Sequence, residues 1–156
     1  MKLLIKQKII SWFDSYNVYD ENDNVVYVIK GKLSWGHKFI IYDTLGNELG
    51  IINEKIISFL PTFEIYKNNE KIGIIKQKWS IWKPKYSCDL GNYEVDGNIW
   101  GLQYQIKKDC NVIATINKKL FSWSDTYVID STEEDLFNAL LIAVAIDATN
   151  CSKNSD

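Results

Sequence analysis

The sequence predicts a mainly β domain in which about twelve antiparallel strands close into a barrel around one buried, hydrophobic C-terminal helix. Two observations lead to this fold class. Segments of one hairpin-like design recur along the chain, and a late segment is apolar on nearly every side of a helix. A helix without a polar face needs apolar partners all around it, and the rest of the chain supplies strands for that purpose.

Four segments share one pattern: a β-prone run, a turn rich in Asp, Asn or Gly, and a second β-prone run that ends in lysine. They are Val18–Lys32, Ile41–Lys55, Ile65–Lys78 and Ile106–Lys119. Asn and Gly favour the positive φ angles of tight turns, so each segment is predicted to be a β-hairpin. Further strands are expected at Leu3–Ile10, Lys55–Leu60, Tyr93–Val95, Trp100–Ile106 and Thr126–Asp130.

The C-terminal segment predicts a helix over residues 132–149. Ser131 and Glu134 have the spacing of a capping box, in which each side chain bonds the backbone amide of the other residue. Leu136–Ile146 follows, with Asn138 as its one polar residue. Eight-stranded barrels are filled by their own side chains, so a barrel that encloses a helix needs more strands. A two-sheet sandwich with the helix on one open end is the alternative fold.

Length and composition predict a single barrel domain over residues 1–150, followed by a disordered tail at 151–156. Cys88, Cys110 and Cys151 are far apart and lack C-x-x-C spacing, which is typical of a reduced cytoplasmic protein. The net charge of −2 argues against nucleic acid as a partner. The apolar runs are shorter than the roughly 18 residues of a spanning helix, so we expect a cytoplasmic protein that is at most peripheral to a membrane.

The residues with reactive side chains do not form a recognisable catalytic or metal-binding pattern, so we expect neither an enzyme nor a cofactor. His37 is the only histidine, and the sequence assigns it no nucleophile or orienting group. The cysteines and His37 do not have a zinc spacing, and the glycine motifs of nucleotide-binding loops are absent. A histidine in a loop that enters a strand, without a chemical role, is the preferred interpretation.

The strongest candidate for binding is the segment from Lys76 to Lys85, which contains four lysines and two tryptophans in ten residues. Strand alternation places Lys76 and Lys78 on the solvent face. Exposed indole beside lysine suits an anionic membrane surface. Stacking on single-stranded nucleic acid and a plain solvated lysine face over a tryptophan-rich core are the alternatives. The candidate binding residues are Lys76, Lys78, Trp82, Lys83 and Lys85.

The repeated hairpins, the segment Phe121–Tyr127 and the terminal apolar helix resemble the LURP-one-related family over residues 3–149. That family is similar in fold to the C-terminal domain of tubby proteins and to phospholipid scramblases. The resemblance implies a twelve-stranded barrel threaded by the C-terminal helix. Tubby-type domains bind phosphoinositide head groups through lysine and arginine, scramblase-like members associate with membranes, and plant members are linked to pathogen defence. The small bacterial members have no settled biochemical role.

The chain contains no arginine, which departs from the phosphoinositide-binding pattern and argues against a geometrically demanding anion site. The predicted function is a non-enzymatic binding or scaffold domain that associates with an anionic membrane surface or with a protein partner. The alternative is a small-ligand carrier or an enzyme with a pocket at the mouth of the barrel.

Overall fold

The structure, a computed structural model, describes residues 1–6, 15–34, 36–78, 85–98, 103–120 and 125–151. The described residues form twelve strands and one helix: β1 (Lys2–Lys6), β2 (Ser15–Tyr19), β3 (Val25–Ser34), β4 (Gly36–Asp43), β5 (Glu48–Glu54), β6 (Thr62–Lys67), β7 (Glu70–Lys78), β8 (Lys85–Asp89), β9 (Tyr93–Asn98), β10 (Gln103–Lys108), β11 (Asn111–Leu120), β12 (Asp125–Ser131) and α1 (Leu136–Cys151).

The strands form one antiparallel sheet in the order β8-β7-β6-β5-β4-β3-β2-β1-β12-β11-β10-β9. Strands that are adjacent in sequence pair with each other, except for β8 and β9, and β1 also pairs with β12. The sheet curls into a nearly closed barrel whose edge strands, β8 and β9, meet at a single bridge between Leu90 and Tyr93. The predicted mainly β barrel with one helix is therefore confirmed, although a continuous ladder between β8 and β9 is not present among the described residues.

The helix α1 lies inside the barrel, where it contacts β1, β5, β6, β7, β11 and β12. Leu140, Leu141 and Ala145 are fully buried, and they belong to the same core cluster as Phe39 and Phe63 on the strands. The predicted burial of the helix on all sides is thus confirmed. Full burial of each leucine or phenylalanine contributes about 1.5–3 kcal/mol, so the contact of α1 with the wall is a main source of stability.

The helix begins later than predicted, and the proposed capping box is wrong. Ser131 still belongs to β12, and its hydroxyl donates to the Ile113 carbonyl at 2.8 Å. Thr132 takes the capping position instead, because its hydroxyl accepts a hydrogen bond from the Asp135 amide at 3.3 Å. Regular helix then starts at Leu136 rather than at residue 132.

All four predicted hairpins are confirmed, as β2–β3, β4–β5, β6–β7 and β10–β11. The turns of the first two hairpins have the same design: an aspartate side chain accepts hydrogen bonds from the backbone amides two and four residues later. Asp20 accepts from Asn22 at 2.8 Å and Asn24 at 2.9 Å. The bond from the Asn24 side chain contributes most to lowering the pKa of Asp20. Asp43 repeats this arrangement in the second turn.

The strand predicted at Lys55–Leu60 is wrong, because these residues form the loop between β5 and β6. The Lys55 amide donates to the Thr62 carbonyl at 2.8 Å and closes the loop at its base. The other predicted strands fall on β1, β9, β10 and β12, where their described residues are paired. Residues 7–10 and 100–102 of those predictions lie outside the described residues.

Candidate functional site

Two of the five predicted binding residues are exposed lysines near the end of β7. Lys76 and Lys78 lie on the solvent face, and Gln77 between them is only 3% exposed. Lys85 begins β8 opposite Lys78, although its side chain is not described. Trp82 and Lys83 lie outside the described residues. The structure therefore places Lys76, Lys78 and Lys85 together on neighbouring strands.

The loop between β5 and β6 exposes large apolar side chains beside this lysine pair. Ile57 and Phe59 are each 94% exposed, and Ile56 is 57% exposed. We call residues Lys55–Pro61 the apolar loop. Large apolar side chains are normally buried, and three exposed ones within four residues make this loop a candidate interaction site. Sequence reasoning missed this loop, although its apolar run lacks the alternation of a half-buried strand and ends at a proline.

Hydrogen bonds fix the backbone of the apolar loop while its apolar side chains face solvent. The hydroxyl oxygens of Ser58 and Thr62 lie 2.7 Å apart, and they lie 2.6 Å and 2.9 Å from the Leu60 carbonyl oxygen. The Pro61 carbonyl accepts from the Gln77 amide at 2.9 Å. The Gln77 bond ties the end of the loop to β7, and the hydroxyl bonds hold the backbone between Ser58 and Thr62.

The start of β4 lies against the base of the apolar loop. Gly36 has a φ of +109°, and a Cβ atom there would lie 3.1 Å from the Glu54 carbonyl oxygen and 3.1 Å from Ile56 Cγ1. The His37 amide donates to Glu54 Oε2 at 3.0 Å, and His37 Nδ1 contacts the same oxygen. His37 is the second residue of β4, not a loop residue, and it is engaged in holding the base of the loop.

Lysines lie on the strands on either side of the apolar loop, at the same end of the barrel. We call them the lysine rim: Lys32, Lys38, Lys55, Lys76 and Lys78. Strand register places them near the loop, because Lys38 pairs with Lys32 and Asn53, and Lys76 pairs with Thr62.

The carboxylates among the described residues beside the loop, Glu54 and Glu64, both have partners. Lys71 donates to Glu64 Oε1 at 2.6 Å, and this bond is the largest cause of the lowered pKa of Glu64. The rim therefore presents a positive surface around an apolar centre.

The opposite end of the barrel carries a polar cluster that fixes the start of α1. Lys67 donates to Asn138 Oδ1 at 2.9 Å, and Asn138 Nδ2 donates to the Tyr93 hydroxyl at 2.8 Å. Lys108 donates to Asp135 Oδ1 at 3.0 Å, which raises the pKa of Lys108. The polar groups of this cluster are hydrogen-bonded to one another. We therefore interpret the cluster, to which Asn138 belongs, as structural.

Depressions of about 370 Å³ and 380 Å³ are lined by residues of β9–β12, and the second also by Lys2 of β1. They share Gln103 and Asn117, which face each other across β10 and β11. Within the described ranges, no three His, Cys, Asp or Glu side chains converge as metal ligands. A helix that is long and apolar enough to cross a membrane is likewise not found in the part of the chain that the structure describes.

The chain matches the model of the LURP-one-related family over residues 1–147. It belongs to this family. It is 30% identical over 149 residues to YxjI, an uncharacterized protein of Bacillus subtilis (strain 168), with 94% of this chain and 92% of that protein covered. An X-ray structure of an Arabidopsis thaliana protein has a similar fold, with a TM-score of 0.59, 12% identity, and coverage of 94% and 91% of the two chains. The predicted family and its barrel fold are confirmed.

Proposed function

We propose that this LURP-one-related protein is a non-enzymatic domain that attaches to anionic membrane surfaces through the apolar loop and the lysine rim. The observation that carries the proposal is the 94% exposure of both Ile57 and Phe59 in a loop with a fixed backbone. Transfer of such a side chain from water to an apolar medium contributes about 1.5–3 kcal/mol. Because the loop is already ordered, its insertion costs little conformational entropy.

The lysine rim supplies the second half of the interaction. Each lysine near an anionic leaflet contributes about 1 kcal/mol, and the contribution falls as added salt screens the charges. A single weak apolar anchor gives only marginal, reversible attachment, so stable binding requires both signals. The exposed lysines Lys55, Lys76 and Lys78 meet this requirement beside the loop.

A membrane explains the surface better than nucleic acid or a catalytic substrate does. The net charge is −2, and the exposed centre contains isoleucines together with one phenylalanine, which favours lipid over base stacking. Near the loop, His37 holds Glu54 rather than a nucleophile. We place the protein at the cytoplasmic, anionic face of the membrane, in agreement with the membrane association of scramblase-like relatives implied by the resemblance.

Co-sedimentation with liposomes tests the proposal. We expect vesicles of phosphatidylcholine with about 30% phosphatidylserine to recover more protein than pure phosphatidylcholine vesicles, with the difference shrinking at high salt. The double variant Ile57→Ser with Phe59→Ser should lose most of this binding. Leu45→Ser is the matched control, because Leu45 is 86% exposed in the β4–β5 turn and should leave the recovery unchanged.

Two results would overturn the proposal. One is equal recovery by neutral and anionic vesicles, and the other is equal recovery of the Ile57/Phe59 and Leu45 variants. The double variant Lys76→Glu with Lys78→Glu separates the contributions. It should reduce binding to anionic vesicles while leaving the weak binding to neutral vesicles unchanged, because these two side chains act through charge alone.

A further inference from the structure

The sheet ends at two strands that, within the described residues, do not form a ladder with each other. β8 pairs with β7, and β9 pairs with β10. The two edge strands are joined through the bridge between Leu90 and Tyr93, next to Gly91 with its φ of +65°. We call the space between Lys85–Asp89 and Tyr93–Asn98 the seam. An edge strand presents backbone donors and acceptors that can pair with a further strand.

Each edge strand is held close to its inner neighbour at a glycine. A Cβ atom on Gly73 of β7 would lie 2.7 Å from the Asp89 carbonyl oxygen and 2.6 Å from Leu90 Cδ2. A Cβ atom on Gly97 of β9 would lie 3.0 Å from Tyr104 Cα on β10. β8 thus lies close to β7 at Gly73, and β9 lies close to β10 at Gly97. The two inner neighbours lie on opposite sides of the seam. Each edge strand of the seam is thus closely packed against its inner neighbour.

Side chains along the seam alternate between the core and solvent. Cys88, Tyr93 and Val95 are partly buried and pack against the core. Asp89, Glu94 and Asp96 are exposed, and Lys107 of β10 donates to Asp96 Oδ2 at 2.7 Å. The seam therefore has an apolar inner side and an acidic outer side.

We propose that the seam binds an extended segment of a partner protein as an added strand, in which apolar residues alternate with lysine or arginine. The strand edges supply main-chain hydrogen bonds, and the alternating side chains select the sequence. Apolar residues of the segment face Cys88 and Val95, and its basic residues face Asp89, Glu94 and Asp96. The edges have five and six residues, which sets an upper limit to the length of the bound segment, because β8 and β9 converge at the Leu90–Tyr93 bridge. This protein-binding site borders the proposed membrane surface at Lys85, which pairs with Lys78 of the lysine rim, but its exposed acidic residues distinguish it from the rim.

A synthetic strand provides a direct test with the full chain. The probe is a fluorescein-labelled, capped hexapeptide of alternating valine and lysine, and fluorescence anisotropy at physiological salt reports its binding. We expect saturable binding that weakens about tenfold when the valine amides are N-methylated, since strand pairing then loses its donors. A peptide with glutamate in place of lysine should also bind more weakly.

Charge reversal locates the binding site. The double variant Glu94→Lys with Asp96→Lys should weaken binding of the lysine peptide about fivefold or more, because both substituted residues face the peptide's cations. Glu21→Lys with Glu48→Lys carries the same charge change on exposed residues of the β2–β3 turn and β5 and should leave binding unchanged.

Three outcomes would overturn the proposal. They are absence of saturable binding below about 1 mM, equal binding of the N-methylated peptide, and equal loss in the two charge-reversal variants. A concentration-dependent dimer that Glu94→Lys with Asp96→Lys dissociates would show that a second copy occupies the seam, which also contradicts a separate protein partner.

Discussion

A Cβ atom built on Gly36 would lie 3.1 Å from Ile56 Cγ1, so the first residue of β4 lies close to the base of the apolar loop. Gly36 also has a φ of +109°, which a residue with a side chain rarely adopts. A side chain at position 36 should therefore displace the base of the apolar loop and, through the position of the loop, alter membrane binding.

Gly36→Ala is predicted to destabilise the protein by about 1–3 kcal/mol because of backbone strain, and also to lower the fraction bound to anionic liposomes. Gly46→Ala is the matched control, since Gly46 has a φ of +88° but no neighbouring atom within 4 Å. It should reduce the free energy of unfolding in urea without changing liposome binding. If both variants lose liposome binding to the same extent, the close approach of Gly36 to Ile56 does not control that binding.

Leu140→Ala in the buried helix is predicted to lower the free energy of unfolding by about 2–5 kcal/mol, because it leaves a cavity between α1 and the barrel wall. Leu140 is fully buried, so Leu140→Asp should prevent folding by placing a charge there. Urea denaturation followed by circular dichroism measures both effects. The exposed Leu45→Ala should change stability by less than about 0.5 kcal/mol. Similar losses for Leu140→Ala and Leu45→Ala would contradict a central helix.

Glu64 is predicted to contribute a pH-dependent part of the stability. Its pKa lies below the ordinary value of 4.5, chiefly because the Lys71 ammonium donates to it. Folding thus favours the ionised carboxylate. The resulting stabilisation is fully present above the pKa of the unfolded state, and it is lost as the pH falls through the lower pKa of the folded state.

Carbon-13 NMR titration of the glutamate carboxyl groups measures this shift. In Lys71→Met the midpoint of Glu64 should rise toward its ordinary value. Lys55→Met should raise it less, because Lys55 Nζ lies 3.9 Å from Glu64 Oε1, against 2.6 Å for Lys71 Nζ. Lys107→Met is the control, since Lys107 pairs with Asp96 instead. An unchanged midpoint in Lys71→Met would show that another interaction sets the pKa.

The parts of the fold that sequence analysis predicted correctly are those encoded by neighbouring residues. The turn at Asn68 and Asn69 has φ angles of 49° and 66°, which asparagine tolerates, and this chemistry is visible in the sequence. The burial of α1 follows from its composition, because Leu136–Ile146 has no polar stripe to face water. Local preference and the final structure agree at these positions.

The features that sequence analysis missed depend on contacts between distant residues. The Ser131 hydroxyl bonds the Ile113 carbonyl, 18 residues away, which removes it from the helix cap. Ile57 and Phe59 are apolar and were expected in a strand. They are instead exposed in the loop that the hydrogen bond from the Lys55 amide to the Thr62 carbonyl closes. Apolar composition alone predicts burial, so an exposed apolar loop becomes visible only once the strands around it are in place.

Cys88 and Cys110 are predicted to react with a thiol reagent at very different rates. Cys88 is partly buried, and burial raises its pKa to about 11, whereas Cys110 is exposed in the β10–β11 turn. At pH 8 only about one in a thousand Cys88 thiols is ionised, and the thiolate is the reactive form. Labelling with dithionitrobenzoate in a Cys151→Ser background should modify Cys110 at least about a hundredfold faster than Cys88. Cys88→Ser and Cys110→Ser assign the two phases, and urea should make the rates similar. Equal rates in the folded protein would contradict the position of Cys88 against the core.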